Sequence, residues 1–212
     1  MSTPERTTSP SISIAVLCGG LSRRFGAEKA LAMAGERPLV EWIVGRLSPV
    51  TDDLFLQMSP TATVPPGPPV HHDRCSGCGP LSGIQGALEN ARYDRVFVCG
   101  SDMPSLDPRL PGILADLGSD FDAVVPRWEN GWIEPLASLY NRRVLPTVTS
   151  RLEGGDYRLS RFLSSLDNVV HVPLEPLFAQ GSLCHGCFSN INSRDELMQW
   201  VEGGPLSPAE RA

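Results

Sequence analysis

The chain has 212 residues, 41% of them hydrophobic and 20% charged, which excludes a disordered chain and leaves material for one substantial core rather than two large domains. Lys and Arg number 18 against 24 Asp and Glu, a net charge of −6, so broad electrostatic capture of nucleic acid or of an anionic membrane surface is excluded. No run approaches the roughly 18 apolar residues of a membrane-spanning helix, and cysteines in a chain without a secretory leader point to a reducing cytoplasm.

In chain order, residues 1–10 (MSTPERTTSP) are polar and read as a tail, residues 11–202 as the folded domain, and residues 203–212 as a second tail. Residues 12–17 form a short apolar, β-rich run that meets Gly19-Gly20, which predicts a buried strand entering a tight loop. Pro38 to Leu47 puts Leu39, Trp42, Ile43, Arg46 and Leu47 at helical spacing, with Pro38 suited to a first turn. A strand over 54–58 is followed by a proline-rich excursion at 59–69, which can be neither a central strand nor a helix. A helix over 81–91 is entered through Gly79-Pro80, and the run 96–99 is a buried strand that stops at Gly100-Ser101-Asp102.

Beyond it the pattern predicts a helix near 110–117, strands at 123–126 and 136–140, helices near 144–152 and 159–166, and a strand at 169–172. Residues 175–186 carry little pattern, 188–192 are short and extended, and Ser193 caps a last helix through Val201. Short apolar runs alternating with amphipathic helices indicate an α/β fold in one domain, with a mainly parallel sheet covered by helices on both faces. Ligands of such sheets sit at the carboxyl ends of the strands.

The segment Leu17-Cys-Gly-Gly-Leu-Ser-Arg-Arg-Phe-Gly-Ala-Glu-Lys29 follows the first strand. Its glycines let backbone amides approach a polyphosphate, and Arg24 and Lys29 can neutralise one. It is neither a Walker loop, since Ala27 stands after Gly26 where Lys is required, nor a dinucleotide-binding G-x-G-x-x-G. Four further segments accompany it: Asp73 followed by Gly79-Pro-Leu-Ser-Gly83; Gly100-Ser-Asp-Met-Pro104; Glu134-Pro-Leu-Ala-Ser-Leu-Tyr140; and Phe188-Ser-Asn-Ile-Asn192-Ser-Arg-Asp-Glu-Leu197. In that order and spacing, over roughly residues 12 to 201, the chain resembles the molybdenum cofactor guanylyltransferase family.

The resemblance implies a Rossmann-like nucleotidyltransferase fold and transfer of GMP from GTP to the terminal phosphate of molybdopterin, or of its molybdenum-loaded form, with Mg²⁺ and release of pyrophosphate. It assigns the nucleotide to Leu17, Gly19, Gly20, Lys29, Asp73, Gly79, Gly83 and Asp102. It gives Arg24, Lys29 and Asp102 the catalytic roles, with Asp102 as the Mg²⁺ ligand. Arg158, Asn190 and Asn192 fall on the pterin and phosphate side. The partners it implies are GTP, the pterin, and transient contacts with molybdoenzymes or their chaperones. The nucleophile is a phosphate with a second pKa of about 6, so the chemistry calls for charge neutralisation and in-line positioning rather than a general base. The lack of an evident Ser/His/Asp or Cys/His triad is consistent with that. Cys18 stands where the family usually has Ala, and Glu134 stands where many relatives carry Gln or His. The rivals are a cytidylyltransferase acting on the same pterin and a non-catalytic nucleotide- or pterin-binding carrier.

Two C-x-x-C hooks, Cys75/Cys78 and Cys184/Cys187, each adjoin an inferred site segment. Three outcomes are open: a four-thiolate structural Zn²⁺ site clamping the proline-rich loop, a redox-sensitive disulfide, or free loop cysteines. Trp128 to Trp132 (WENGW) reads as a hairpin turn whose aromatics either wall the pterin ring or cover the edge of the core.

Overall fold

Ser13–Cys18 (SIAVLC) forms β1, every residue of which is buried, because neighbours pair on both of its edges and helices cover both of its faces. The computed structural model describes residues 11–19, 21–22, 27–65, 67–117 and 120–203. The expected tails lie outside these residues, apart from Gly203, which closes the last helix.

In chain order β1 is followed by the short pairs β2 (Leu21–Ser22) with β3 (Ala27–Glu28) and β4 (Met33–Ala34) with β5 (Arg37–Pro38). Then come α1 (Leu39–Leu47), β6 (Leu54–Met58), β7 (Val70–His72), α2 (Pro80–Asn90), β8 (Arg95–Gly100), α3 (Leu110–Ala115) and β9 (Ala123–Arg127). The chain continues through β10 (Ala137–Asn141), α4 (Leu145–Glu153), α5 (Leu159–Leu163), β11 (Val169–Pro173), α6 (Leu174–Ala179) and α7 (Arg194–Gly203). The described residues build a main sheet in the order β11-β9-β10-β8-β1-β6-β7. All its pairings are parallel except those of β10, which runs against β8 and β9. The mainly parallel α/β sheet expected from the sequence is therefore present.

Alternation along the strands divides the core. Ile14, Val16, Leu56, Met58, Phe97 and Cys99 face α1, α3 and α6, whereas Ala15, Leu17, Phe55, Val96 and Val98 face α2, α4 and α5. Full burial of one such aliphatic or aromatic side chain is worth about 1.5–3 kcal/mol, so both layers contribute to holding the sheet. A third cluster joins Ala34 and Leu39 to Ile191, Leu197 and Trp200, which fastens α7 beside the first helix. Trp42 and Trp200 meet edge to face there, and the Trp42 indole donates to the Ala34 carbonyl at 3.1 Å. No helix of the described residues is long and apolar enough to cross a membrane.

The structure departs from the sequence pattern in three places. Residues 175–186 are not featureless. Leu174 and Phe178 are buried and nucleate α6, and His185–Phe188 forms a 3₁₀ turn. The helices expected over 110–117 and 159–166 stop early, at Ala115 and Leu163. The extended segment read at His71-His72 before Asp73 is present and goes further than the reading, since Val70–His72 pairs with β6 as an edge strand of the main sheet. The expected hairpin is confirmed: the Trp128 amide donates to the Trp132 carbonyl at 2.8 Å and the Gly131 amide to the Trp128 carbonyl at 2.9 Å. Its two aromatics divide the alternatives, since Trp128 packs on Phe178 and Phe188 at the core edge while Trp132 is 74% exposed.

Candidate functional site

The carboxyl ends of β1 and β8 lie side by side, with Leu17 in register with Gly100. One further bond, from the Ser101 amide to the Leu17 carbonyl at 3.0 Å, carries the pairing past the strand end and delivers Asp102 next to the loop after β1. Gly100 is required there for a steric reason: a Cβ at this position would stand 2.4 Å from Asp102 Oδ1. The carboxylate folds back over the strand end into space that only glycine leaves open.

Lys29 begins a 3₁₀ turn (Lys29–Leu31), and its Nζ donates to Asp102 Oδ2 at 2.9 Å and to Asn192 Oδ1 at 3.0 Å. Both side chains are sheltered, at 13% exposure for Lys29 and 30% for Asp102. Asn192 arrives from the far end of the chain, held by the Ile191 amide, which donates to the Asp102 carbonyl at 2.9 Å. The Asn192 amide in turn donates to the Glu196 carboxylate, and Ser193 Oγ accepts from the Glu196 amide at 3.2 Å as α7 begins. This reciprocal cap fixes the Asn192 backbone. The loop after β1, the turn after β8 and the entry to α7 thus converge on one ammonium with two oxygen acceptors around it.

A second group lies at the end of β6. Gln57 is buried on that strand, and its Nε2 donates to Asp73 Oδ1 at 2.8 Å. The Asp73 amide is fixed by the Met58 carbonyl at 2.8 Å. Burial pushes the Asp73 carboxyl above its ordinary range, and the Gln57 hydrogen bond and the nearby His72 offset this only in part. Gln57 Oε1 is buried without a hydrogen-bond partner among the described residues. Gly86 of α2 lies against the Gln57 amide, where a Cβ would come within 2.2 Å of Nε2. Sequence reasoning missed Gln57, although a polar residue inside the apolar run Leu54-Phe-Leu-Gln-Met58 was a readable signal.

The turn into α2 behaves as its residues require. Gly79 adopts φ +69°, a conformation natural to glycine, and Pro80 occupies the first helical turn. Gly83 lets α2 approach β1, since a Cβ there would lie 3.0 Å from Leu17 Cδ1. Gly83 and Leu17 therefore bring the start of α2 against the end of β1. Gly19 follows β1, whereas Gly20 and Arg24 lie outside the described residues.

The other expected residues are placed as follows. Asn190 Oδ1 is buried with no hydrogen-bond partner among the described residues, so an acceptor is left to meet a donor or a cation. Arg158 precedes α5, 68% exposed, with its Nε 3.9 Å from Asp156; Arg151 and Arg161 complete that cluster, and these contacts do not join Arg158 to Lys29. Glu134 Oε1 accepts from the Trp128 indole at 2.7 Å, so its carboxylate is tied to the hairpin.

Of the three outcomes left open for Cys75, Cys78, Cys184 and Cys187, the structure has a disulfide at the first hook and free thiols at the second. Cys75 and Cys78 are bonded to each other just before α2, while Cys187 belongs to the core layer shared with α1, α3 and α6. No cluster of three or more His, Cys, Asp or Glu among the described residues is arranged to hold a metal.

Residues 14–169 match the family described as the MobA-like NTP transferase domain. A probable molybdenum cofactor guanylyltransferase of Carboxydothermus hydrogenoformans is 34% identical over 142 residues, covering 67% of this chain and 72% of that protein. A protein of the same description from Methanosarcina mazei is 30% identical over 201 residues, covering 89% of each. Among solved structures, molybdopterin-guanine dinucleotide biosynthesis protein A of Archaeoglobus fulgidus superposes with a TM-score of 0.74 at 27% identity, over 90% of this chain and 97% of that one. The 2-C-methyl-D-erythritol 4-phosphate cytidylyltransferase of Thermus thermophilus shares the fold, with a TM-score of 0.65 at 16% identity over 92% of this chain and 98% of that one.

Proposed function

The chain belongs to the MobA-like NTP transferase family, and on that premise we propose that it transfers GMP from GTP to the terminal phosphate of molybdopterin or molybdenum cofactor, releasing pyrophosphate. The observation that carries the reading is the Lys29–Asp102–Asn192 group at the carboxyl ends of β1 and β8, in a chain whose relatives over most of its length are described as guanylyltransferases.

The chemistry follows from what these residues can do. The attacking pterin phosphate is largely ionised at neutral pH and brings its own nucleophilic oxygen, so no side chain has to remove a proton. The obstacle is negative charge gathered at the α-phosphate and on the departing pyrophosphate. Lys29, already sheltered and held by Asp102 and Asn192, offers a fixed positive charge to that triphosphate, and the Gly19 amide adds a donor. Asp102 and Asn192 present hard oxygen donors around one cationic group, a donor set that suits Mg²⁺, and the orphaned Asn190 oxygen belongs to the same segment. Bound there, Mg²⁺ supplies charge neutralisation at the phosphate oxygens. Asp73, with the turn through Gly79 and Gly83, holds the base and ribose, a carboxylate being the natural acceptor for the N–H groups of a guanine edge.

Thermal unfolding against GTP, CTP, ATP and UTP, each with and without Mg²⁺, tests this reading. Saturation at 100 times the dissociation constant stabilises a protein by about 2.7 kcal/mol, and GTP with Mg²⁺ is expected to give that shift selectively. A preference for CTP would establish the cytidylyl rival, and stabilisation by the pterin alone would establish a carrier.

Asp73→Asn separates binding from stability. A carboxyl whose pKa is raised by folding holds its proton more tightly in the folded state, so its contribution to stability is greatest at low pH and is lost as pH rises through the raised value. The neutral amide removes that cost. At pH 7 the variant is expected to melt at the same temperature or higher than the parent, while GTP affinity falls by about tenfold or more through the lost charged hydrogen bonds. Unchanged GTP affinity would remove Asp73 from the base pocket.

A further inference from the structure

The pair Cys184–Cys187 has no part in this transfer, yet its surroundings are specific. Cys184 precedes the 3₁₀ turn His185–Phe188, and the Cys187 amide donates to the Cys184 carbonyl at 3.2 Å. In such a turn the side chains at i and i+3 eclipse, which places the two thiols on one side of the turn. They differ sharply in access, Cys184 being exposed and Cys187 fully buried in the core that contains Phe178 and Phe188. The Arg109 guanidinium acts on both sulfurs and is fixed by Asp107, which accepts from Arg109 Nε at 3.0 Å and Nη2 at 2.8 Å. An exposed thiol and a buried second thiol, brought to one side of a turn by i and i+3 spacing, supply what thiol–disulfide exchange needs: one sulfur to attack and one to resolve.

We propose that Cys184–Cys187 is a thiol–disulfide exchange site for a disulfide-bearing oxidant of the glutathione class, and that forming its disulfide unseats Asn192 from Lys29 and Asp102. The Cys184 thiolate attacks one sulfur of the oxidant, forming a mixed disulfide and expelling one thiolate. Cys187 gives up its proton to that thiolate and attacks the Cys184 sulfur, expelling the second. Two protein thiols are oxidised by two electrons, and one oxidant disulfide is reduced to two thiols. The new bond draws the sulfurs to about 2.05 Å, and the turn tightens toward the anchored Cys187. The segment immediately downstream takes up that movement. The Ser189 amide is bound to the Gly186 carbonyl of this turn at 3.1 Å, and the Ile191 amide and Asn192 side chain make the contacts to Asp102 and Lys29.

The experiment uses the full chain carrying Cys75→Ser and Cys78→Ser, so that the other hook is silent. It is equilibrated in mixtures of reduced and oxidised glutathione, without nucleotide. Mass spectrometry of non-reduced peptides is expected to show reversible loss of two hydrogens from the peptide containing Cys184 and Cys187. Hydrogen exchange at the Ile191 amide is expected to rise about tenfold in the oxidised form and return on adding dithiothreitol. Adding Cys184→Ser, an exposed change that spares the core, should abolish both effects. Absence of the bond in mixtures that oxidise ordinary dithiols, or a bond formed with Ile191 protection unchanged, would overturn the proposal. Neither readout involves GTP, so the result stands apart from the guanylyl-transfer reading.

Discussion

Asp102→Ala is expected to lower GMP transfer by roughly 10³-fold while leaving the fold intact, an effect of the size seen when a preorganised electrostatic group is removed from a transition state. Two features keep the effect local. The Asp102 side chain is 30% exposed rather than part of the core, and its backbone carbonyl, which alanine retains, is what receives the Ile191 amide. Entry to α7 and the position of Asn192 are therefore preserved in the variant. What is lost is the carboxylate opposite Lys29, and with it the oxygen set suited to Mg²⁺. An ion pair this close to solvent contributes about 1 kcal/mol or less to stability, so the melting temperature should barely move. Steady-state transfer assayed over a range of Mg²⁺ concentrations decides the matter: a variant with parental activity and parental Mg²⁺ dependence would eliminate Asp102 from the reaction.

The parts of this molecule that were legible in the sequence are those whose residues leave little choice. Val96 to Cys99 is apolar on both sides of the pleat, which only a strand covered on both faces tolerates, and it ends in Gly100-Ser-Asp102, where no strand can continue its pattern. The direction of β10 was not legible, because Ala137 to Tyr140 would be buried equally in a parallel or an antiparallel place. Residues Leu174 to Ala179 escaped for a different reason: with Pro176 inside a six-residue span, no local propensity argues for helix, and α6 exists because Leu174 and Phe178 reach the core. Lys29 and Asp102 could be named from their motifs, but their meeting with Asn192 depends on long-range contacts, among them the backbone bond from Ile191 to Asp102 and the burial of Ile191 beside α7. Gln57 shows the converse. Its polarity looked like an interruption of a strand and is instead the support of Asp73, visible only once Gly86 and Asp73 are seen beside it. For the cysteine hooks, spacing along the chain left a disulfide, free thiols and a shared metal all readable, and only the structure pairs Cys75 with Cys78.

Gly100→Ala provides a separate test of the same site, because it changes no functional group. The added methyl would sit 2.4 Å from Asp102 Oδ1, far inside any real contact, and the nearest relief is rotation of the carboxylate away from the strand end. Asp102 would then leave Lys29, while β8 keeps its pairing, since the Gly100 amide donates to the Leu136 carbonyl at 3.1 Å whichever side chain is present. Misplacement of a positioning group by about 1 Å can cost roughly 10²-fold in rate, and that is the expected loss in transfer for Gly100→Ala, with GTP binding affected less. The double variant Gly100→Ala, Asp102→Ala distinguishes this mechanism from general damage. If the methyl acts only by displacing the carboxylate, it has nothing left to displace in the alanine background, and the double variant should transfer GMP as slowly as Asp102→Ala alone. A further 10²-fold loss in that background would mean that Gly100 serves the reaction by another route, such as backbone approach to the phosphates.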